Sequence, residues 1–218
     1  MMLTLIAGCT RVIFGTVQLT PGAATARIRV SDLVIEPGKF PAGYPAVVLD
    51  GAAVHQALQA IDGVAAASVV KPPQCVPPQA PQDTAAVQGI DSQHANSLIV
   101  VVTRPATPLR ERAEQLTACP SFTAVHGQDT SAVTVTVLPA PPVDADDSYA
   151  VDQTVTGEPS EPARRTLTLA AQIGDVRVSA SWLHDGSPGT APDAAPDNQA
   201  LDTLFTDAVL KVRRIGGP

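Results

Sequence analysis

The chain has 218 residues, of which 44% are hydrophobic, 16% charged and only 3% aromatic, so its core must be aliphatic. A formal net charge of −7 and the lack of Lys/Arg clusters argue against a nucleic-acid partner, because phosphate neutralisation needs such clusters. No apolar run approaches the roughly 20 residues of a membrane span.

The first readable stretch is Leu5-Ile6-Ala7-Gly8-Cys9. An apolar residue and two small residues ahead of a cysteine make the pattern of a bacterial lipobox. The signal peptidase needs small side chains at the cut, and the thiol then carries the lipid. Residues 1–8 are shorter than a signal peptide, whose apolar region alone runs about 7–15 residues behind a basic start. They read as the remnant of one, with the true start upstream. The alternative is a Cys9 buried in an N-terminal strand. Residues 9–30, with Gly15, Pro21 and Gly22, read as a tether. A single domain then occupies 31–218, its core beginning near Val30.

Asp50 can cap a helix in which Val54, Ala57, Leu58 and Ile61 recur at helical spacing, with Gly63 ending it. "KPPQCVPPQAP" follows, and its prolines forbid helix or inner strand, leaving a surface loop. A strand is expected near Ala85–Ile90. "SLIVVVT" comes next, apolar on both faces and so central in a sheet. Thr107-Pro108 predicts a helix start, with Thr as cap and Pro at the first helical position. Leu109, Ala113, Leu116 and Cys119 share one face of that helix.

"SFTAVH", "SAVTVTVL" and "DSYAVDQTV" read as further strands, the latter two alternating as in a sheet with one wet face. "RTLTLAAQIGDVRVSASW" is the clearest hairpin. Leu167, Leu169 and Ala171 alternate on one arm, and Val176, Val178, Ala180 and Trp182 on the other. Gly174-Asp175 supplies the glycine that a type II′ turn needs. After a polar, proline-spaced loop, Asp197 caps a last helix with Leu201, Leu204, Phe205, Ala208, Val209 and Val212 on its buried face. Lys211, Arg213 and Arg214 stand near its C-terminal end, where the helix dipole favours cations. The sum is an α+β fold: a mostly antiparallel sheet of about six strands with about three helices packed on one face.

Setting aside a lipid-bearing Cys9 leaves Cys75 and Cys119, the even pair expected of an exported protein with one disulfide. A zinc site on the same two cysteines would need two further ligands at short spacing, and no His or Cys supplies them.

Several short motifs follow one another along the chain: Cys9-Thr10-Arg11-Val12 with Gly15, Phe40-Pro41-Ala42-Gly43-Tyr44, Pro72-Pro73-Gln74-Cys75 and Val87-Gln88-Gly89. Cys119 with Phe122, Leu138-Pro139-Ala140-Pro141, Arg165-Thr166 and Ile173-Gly174-Asp175 complete the series. On these the chain resembles a family of mycobacterial cell-envelope lipoproteins built on a domain of unknown function. More distantly it is similar to the extracellular sensor domain of mycobacterial receptor serine/threonine kinases. The resemblance implies an envelope lipoprotein with an antiparallel sheet, flanking helices and a Cys75–Cys119 bridge. It brings no catalytic residues.

The remaining chemistry-bearing residues form no recognised constellation. No G-x-S-x-G appears, and His55, His94, His126 and His184 lie far apart without metal-binding spacing. Asp144, Asp146, Asp147 and Asp152 fail as a calcium loop, since Tyr149 and Val155 stand where an EF-hand needs Gly and Glu. Arg164-Arg165 reads as a charged strand edge that deters aggregation. No catalytic residue, metal or cofactor is assigned.

The functional expectation is therefore a non-catalytic binding or sensor module for an envelope ligand or partner protein. It would be exported, with Cys9 holding it to the extracytoplasmic face of the cell membrane. The alternative is an envelope hydrolase with a catalytic triad scattered over loops. Low aromatic content leaves apolar room at the edge of an aliphatic core, so a groove for an envelope lipid or partner segment is expected near Trp182 and Tyr44, the alternative being that Trp182 simply plugs the core.

Overall fold

The computed structural model describes residues 27–158, 162–188 and 194–216. Cys9, residues 1–8 and the tether as far as residue 26 lie outside the described residues. In chain order the elements are α1 (Val30–Leu33), β1 (Ala46–Val48), α2 (Gly51–Asp62), β2 (Val69–Lys71), β3 (Thr84–Asp91), β4 (Asn96–Thr103) and α3 (Leu109–Ala118). They continue through β5 (Ser121–His126), β6 (Asp129–Leu138), β7 (Asp147–Thr156), β8 (Pro162–Ile173), β9 (Val176–Pro188) and α4 (Asn198–Gly216).

All nine strands described join one sheet in the order β1-β3-β4-β9-β8-β7-β6-β5-β2. Every neighbouring pair is antiparallel. The α+β class and its antiparallel sheet stand, but the expected counts of six strands and three helices were too low. Beyond the seven strand stretches and three helices read one by one, the additions are α1 and the two edge strands β1 and β2, which have three residues each. A three-residue strand shows no alternation to read, and Pro45 and Pro72 stand against these two.

The arrangement of helices also differs from the expectation of one covered face. On one face α4 lies across β9, β8 and β4, with α1 beside it. Val100, Val102, Leu167, Leu169, Val178, Ala180 and Trp182 meet Leu201, Leu204, Phe205, Ala208, Val209 and Val212 there in one core. Burial of each such large side chain contributes roughly 1.5–3 kcal/mol. The hairpin arms and the helix stripe share this core, as the alternation and the helical spacing predict.

The other face is also apolar in part, and it carries two helices. Val54 and Ala57 of α2 pack on Ala86, Ile99 and Val101. Leu116 of α3 packs with Phe122, Val133 and Val135. β4 is therefore buried on both sides, consistent with its unbroken apolar run.

Local signals explain the element ends. The Asp50 carboxylate accepts from the Ala53 N–H at 3.0 Å, and Gly63 closes α2 at φ +68°. A Cβ at Gly63 would stand 2.6 Å from both Gln153 Nε2 and Val155 Cγ2, so this position is held to glycine twice over. Gly174, at φ +57°, turns β8 into β9, with Ile173 opposite Val176. Asp197 accepts from the Ala200 N–H at 3.1 Å at the start of α4.

The start of α3 departs from expectation. Pro108 is the cap residue and the helix begins at Leu109, with no side-chain capping bond from Thr107. The Thr107 carbonyl is engaged instead by Arg177 Nη2 at 2.8 Å, which holds the entering chain over the sheet. Arg164 and Arg165 are likewise not on an edge, since β8 is the fifth strand of nine. They form ion pairs with Asp185 and Asp152 on the neighbouring strands.

Candidate functional site

Cys75 and Cys119 are bonded, with Cα atoms 5.7 Å apart. The bond joins the 3-10 turn Pro73–Cys75 to the C-terminal end of α3. It pins one end of the proline-rich segment that follows. Gln115 of α3 adds a second fastening, donating from Nε2 to the carbonyls of Gln74 and Val76, each at 2.8 Å.

Tyr44 and Trp182 are both buried. Trp182 is 0% exposed and Tyr44 6% exposed, both within the core beneath α4. Position 182 falls on the same side of β9 as Val178 and Ala180, so the strand's alternation buries it. The Trp182 ring stacks on His184, with centroids 5.9 Å apart and planes 6° from parallel. Both side chains fill core, which for Trp182 is the alternative reading, and they offer almost no surface to a ligand.

The histidines fall in separate places. His94 Nδ1 lies 2.6 Å from an Asp91 carboxylate oxygen on the exposed β3–β4 turn. His184 Nδ1 lies 2.8 Å from Asn96 Oδ1. The acidic stretch is engaged in pairing: Asp144 accepts from Arg213, Asp146 from the Gly174 N–H and Asp152 from Arg165. Among the described residues no His/Cys/Asp/Glu group could hold a metal ion.

The cavity that gathers the most chemistry lies on the sheet face opposite α4. Between α2 and α3, above the central strands, is a cleft of about 300 Å³. Its floor includes Val101 and Thr103 of β4, Thr168 of β8, and Arg177 and Ser179 of β9. Leu58, Ile61 and Asp62 of α2 form one wall, and Arg112 of α3 with Tyr149 of β7 the other. The proline segment Pro78–Pro81 closes one side and Pro105–Thr107 another. The volume lies at the small end of the range of about 300–1,000 Å³ usual for small-molecule sites.

Several polar groups of the cleft are satisfied within the protein. Arg112 donates to Asp62 Oδ1 at 2.8 Å, tying the two helical walls together. Burial pushes the Asp62 carboxyl up, against the pull of Arg112. Burial likewise pushes the Tyr149 phenol up, so it is neutral at physiological pH. The Thr168 and Ser181 hydroxyls bond each other at 2.8 Å, and Thr103 bonds Thr84 and the Asp83 carbonyl.

Arg177 differs. Its Nε is buried without a hydrogen-bond partner. Among the described residues it has no carboxylate within ion-pairing distance. Burial lowers its pKa, Tyr149 opposes that shift, and the neighbouring Arg112 charge adds to it.

Sequence reasoning missed this site for a specific reason. Thr166, Thr168, Ser179 and Ser181 alternate with apolar residues, and that pattern reads as a wet sheet face. In the fold these positions lie beneath helices and a proline loop. The signal was an arginine within a run of alternating hydroxyls, Arg177-Val178-Ser179-Ala180-Ser181, on a strand whose other face is apolar from Val176 to Trp182.

No family model matches the chain, and no curated protein matches it. Among solved structures it is similar to an uncharacterized protein of Mycobacterium smegmatis, an Rv0999 ortholog, at 15% sequence identity. The match covers 86% of this chain and 98% of that one, with a TM-score of 0.49.

Proposed function

We propose that the protein is a non-catalytic binding or sensor module of the cell envelope, anchored to the membrane by a lipid on Cys9, whose ligand occupies the cleft between α2 and α3. The cleft carries this reading. It is concave and bounded largely by aliphatic side chains and prolines, with a few polar groups converging on its floor. Its walls are fixed by the Asp62–Arg112 ion pair and by the bonded Cys75. The lipobox pattern at Leu5–Cys9 and the resemblance to mycobacterial lipoproteins support the address.

The test is mass spectrometry of small molecules released from the native protein purified out of its own envelope. Wild type should release a stoichiometric ligand. A Ser179→Phe variant, whose ring would fill the cleft floor, should release none while remaining folded. Equal retention of the same ligand by the variant would place binding elsewhere.

A further inference from the structure

Resting on the cleft as the binding site, we infer that its ligand is an oxyanion carried on a small apolar body, with Arg177 as the charge partner. The argument is one of charge and hydrogen-bond accounting. Two guanidinium groups and one carboxylate line the cleft, from Arg112, Arg177 and Asp62. Asp62 is committed to Arg112 at 2.8 Å, which leaves Arg177 without a carboxylate. Tyr149 is no substitute counter-ion, because burial keeps its phenol protonated.

The strand opposite offers no relief either. Gln172 faces Arg177 in the β8–β9 register, yet its amide donates to the Gly174 carbonyl and its Oε1 is itself without a partner. Arg177 Nη2 donates to the Thr107 carbonyl at 2.8 Å, but a carbonyl supplies no counter-charge and Nε stays without a partner, a costly state for a partly buried cation. An oxyanion that accepts from Nε would satisfy both the charge and the orphaned donor. Arginine suits carboxylate and phosphate oxygens in particular because its donors form a rigid planar fork.

The rest of the cleft sets the body of the ligand. Leu58, Ile61, Val101, Pro78, Pro81 and Pro105 present hydrocarbon around the charged floor. A free sugar or a small inorganic ion would leave those surfaces unmatched. An alkyl or aryl group bearing a carboxylate or phosphate would cover them. The shared chemistry has two sources, a free organic acid and the headgroup region of an anionic lipid.

The experiment is a titration of the full chain, read by the methyl resonances of Ile61 and Val101. The probes are octanoate, octyl phosphate, octanol, and the soluble lipids dihexanoyl-phosphatidylglycerol and dihexanoyl-phosphatidylcholine. Octanoate or octyl phosphate should bind at least about tenfold more tightly than octanol, in line with a charged hydrogen bond. Arg177→Gln should remove that preference while leaving octanol binding in place. Arg110→Gln, on the exposed side of α3, should change nothing.

If Arg177→Gln fails to fold, Arg177→Lys keeps the charge without the fork, and it should retain part of the preference. Equal binding of octanoate and octanol, both blocked by Ser179→Phe, would overturn the anion inference and leave the cleft standing. No methyl shift with any probe would count against the cleft itself. Preference for the phosphatidylglycerol probe over octanoate would assign the oxyanion to a lipid headgroup, and the reverse to a free acid.

Discussion

A Cβ on Gly89 would stand 2.7 Å from Cδ1 of Phe40 and 2.9 Å from the Tyr44 carbonyl oxygen, so the Phe40–Tyr44 segment lies directly on β3 at this glycine. Two of the short sequence motifs, Phe40–Tyr44 and Val87–Gly89, are thus one packing unit. Gly89→Ala should destabilise the protein by about 1–3 kcal/mol, the usual cost of overpacking, because a backbone carbonyl cannot swing aside as a side-chain tip can. Chemical denaturation should show the midpoint falling with an unchanged slope. Wild-type stability in this variant would mean that the segment is free to lift.

Reduction of the Cys75–Cys119 bond should lower stability and, in the binding role proposed above, ligand retention as well. The bond spans 44 residues, for which the chain-entropy model gives roughly 4 kcal/mol. It also anchors the chain just before Pro78–Pro81, a wall of the cleft. A Cys75→Ser/Cys119→Ser variant should therefore lower the unfolding temperature and weaken ligand retention together. Loss of stability with full retention would show that the Gln115 bonds to Gln74 and Val76 hold the wall unaided.

Trp182 should behave as a core residue. Trp182→Ala should cost about 3–5 kcal/mol, whereas Trp182→Phe should cost much less. The tryptophan emission should be that of a buried ring, inaccessible to iodide. Ready quenching by iodide in the folded protein would contradict the packing beneath α4.

Stability should decline in acid. Lys211 holds the Glu36 carboxyl below the usual range, and Arg27 followed by Arg104 does the same for Asp175. With folded values depressed, the unfolded chain takes up protons first. This stabilisation is complete above the unfolded values, near pH 4, and is lost as pH falls through the folded ones. Glu36→Gln should flatten the decline in unfolding temperature between about pH 5 and 3. Asp62 runs the other way, since burial raises its value and the folded state then holds the extra proton. An acid limb identical in wild type and Glu36→Gln would show that the Lys211 contact contributes nothing.

Local patterns with strong stereochemistry were readable before the structure. Asp50 and Gly63 bracket α2, Gly174 places the β8–β9 turn, and the apolar stripe of α4 is buried as its spacing requires. Three features were not readable, each for a long-range reason. β1 and β2 are too short to show a period and exist because β3 and β5 offer them an edge. The start of α3 follows the Arg177 bond to Thr107, between residues 70 positions apart. The cleft depends on helices roofing strand positions whose own sequence reads as solvent-facing.

The strap from Val76 to Asp83 runs between a bonded cysteine and the first residue of β3, and it contributes no strand to the sheet. Its sequence can therefore change in length or bulk without disturbing the pairing of any of the nine strands described. The cleft wall at Pro78–Pro81 is in this sense interchangeable, while the floor at Thr168, Arg177 and Ser179 is bound by register to both hairpin arms. In the binding role proposed above, the strap alone would set the size of an accepted ligand and the scaffold its charge preference.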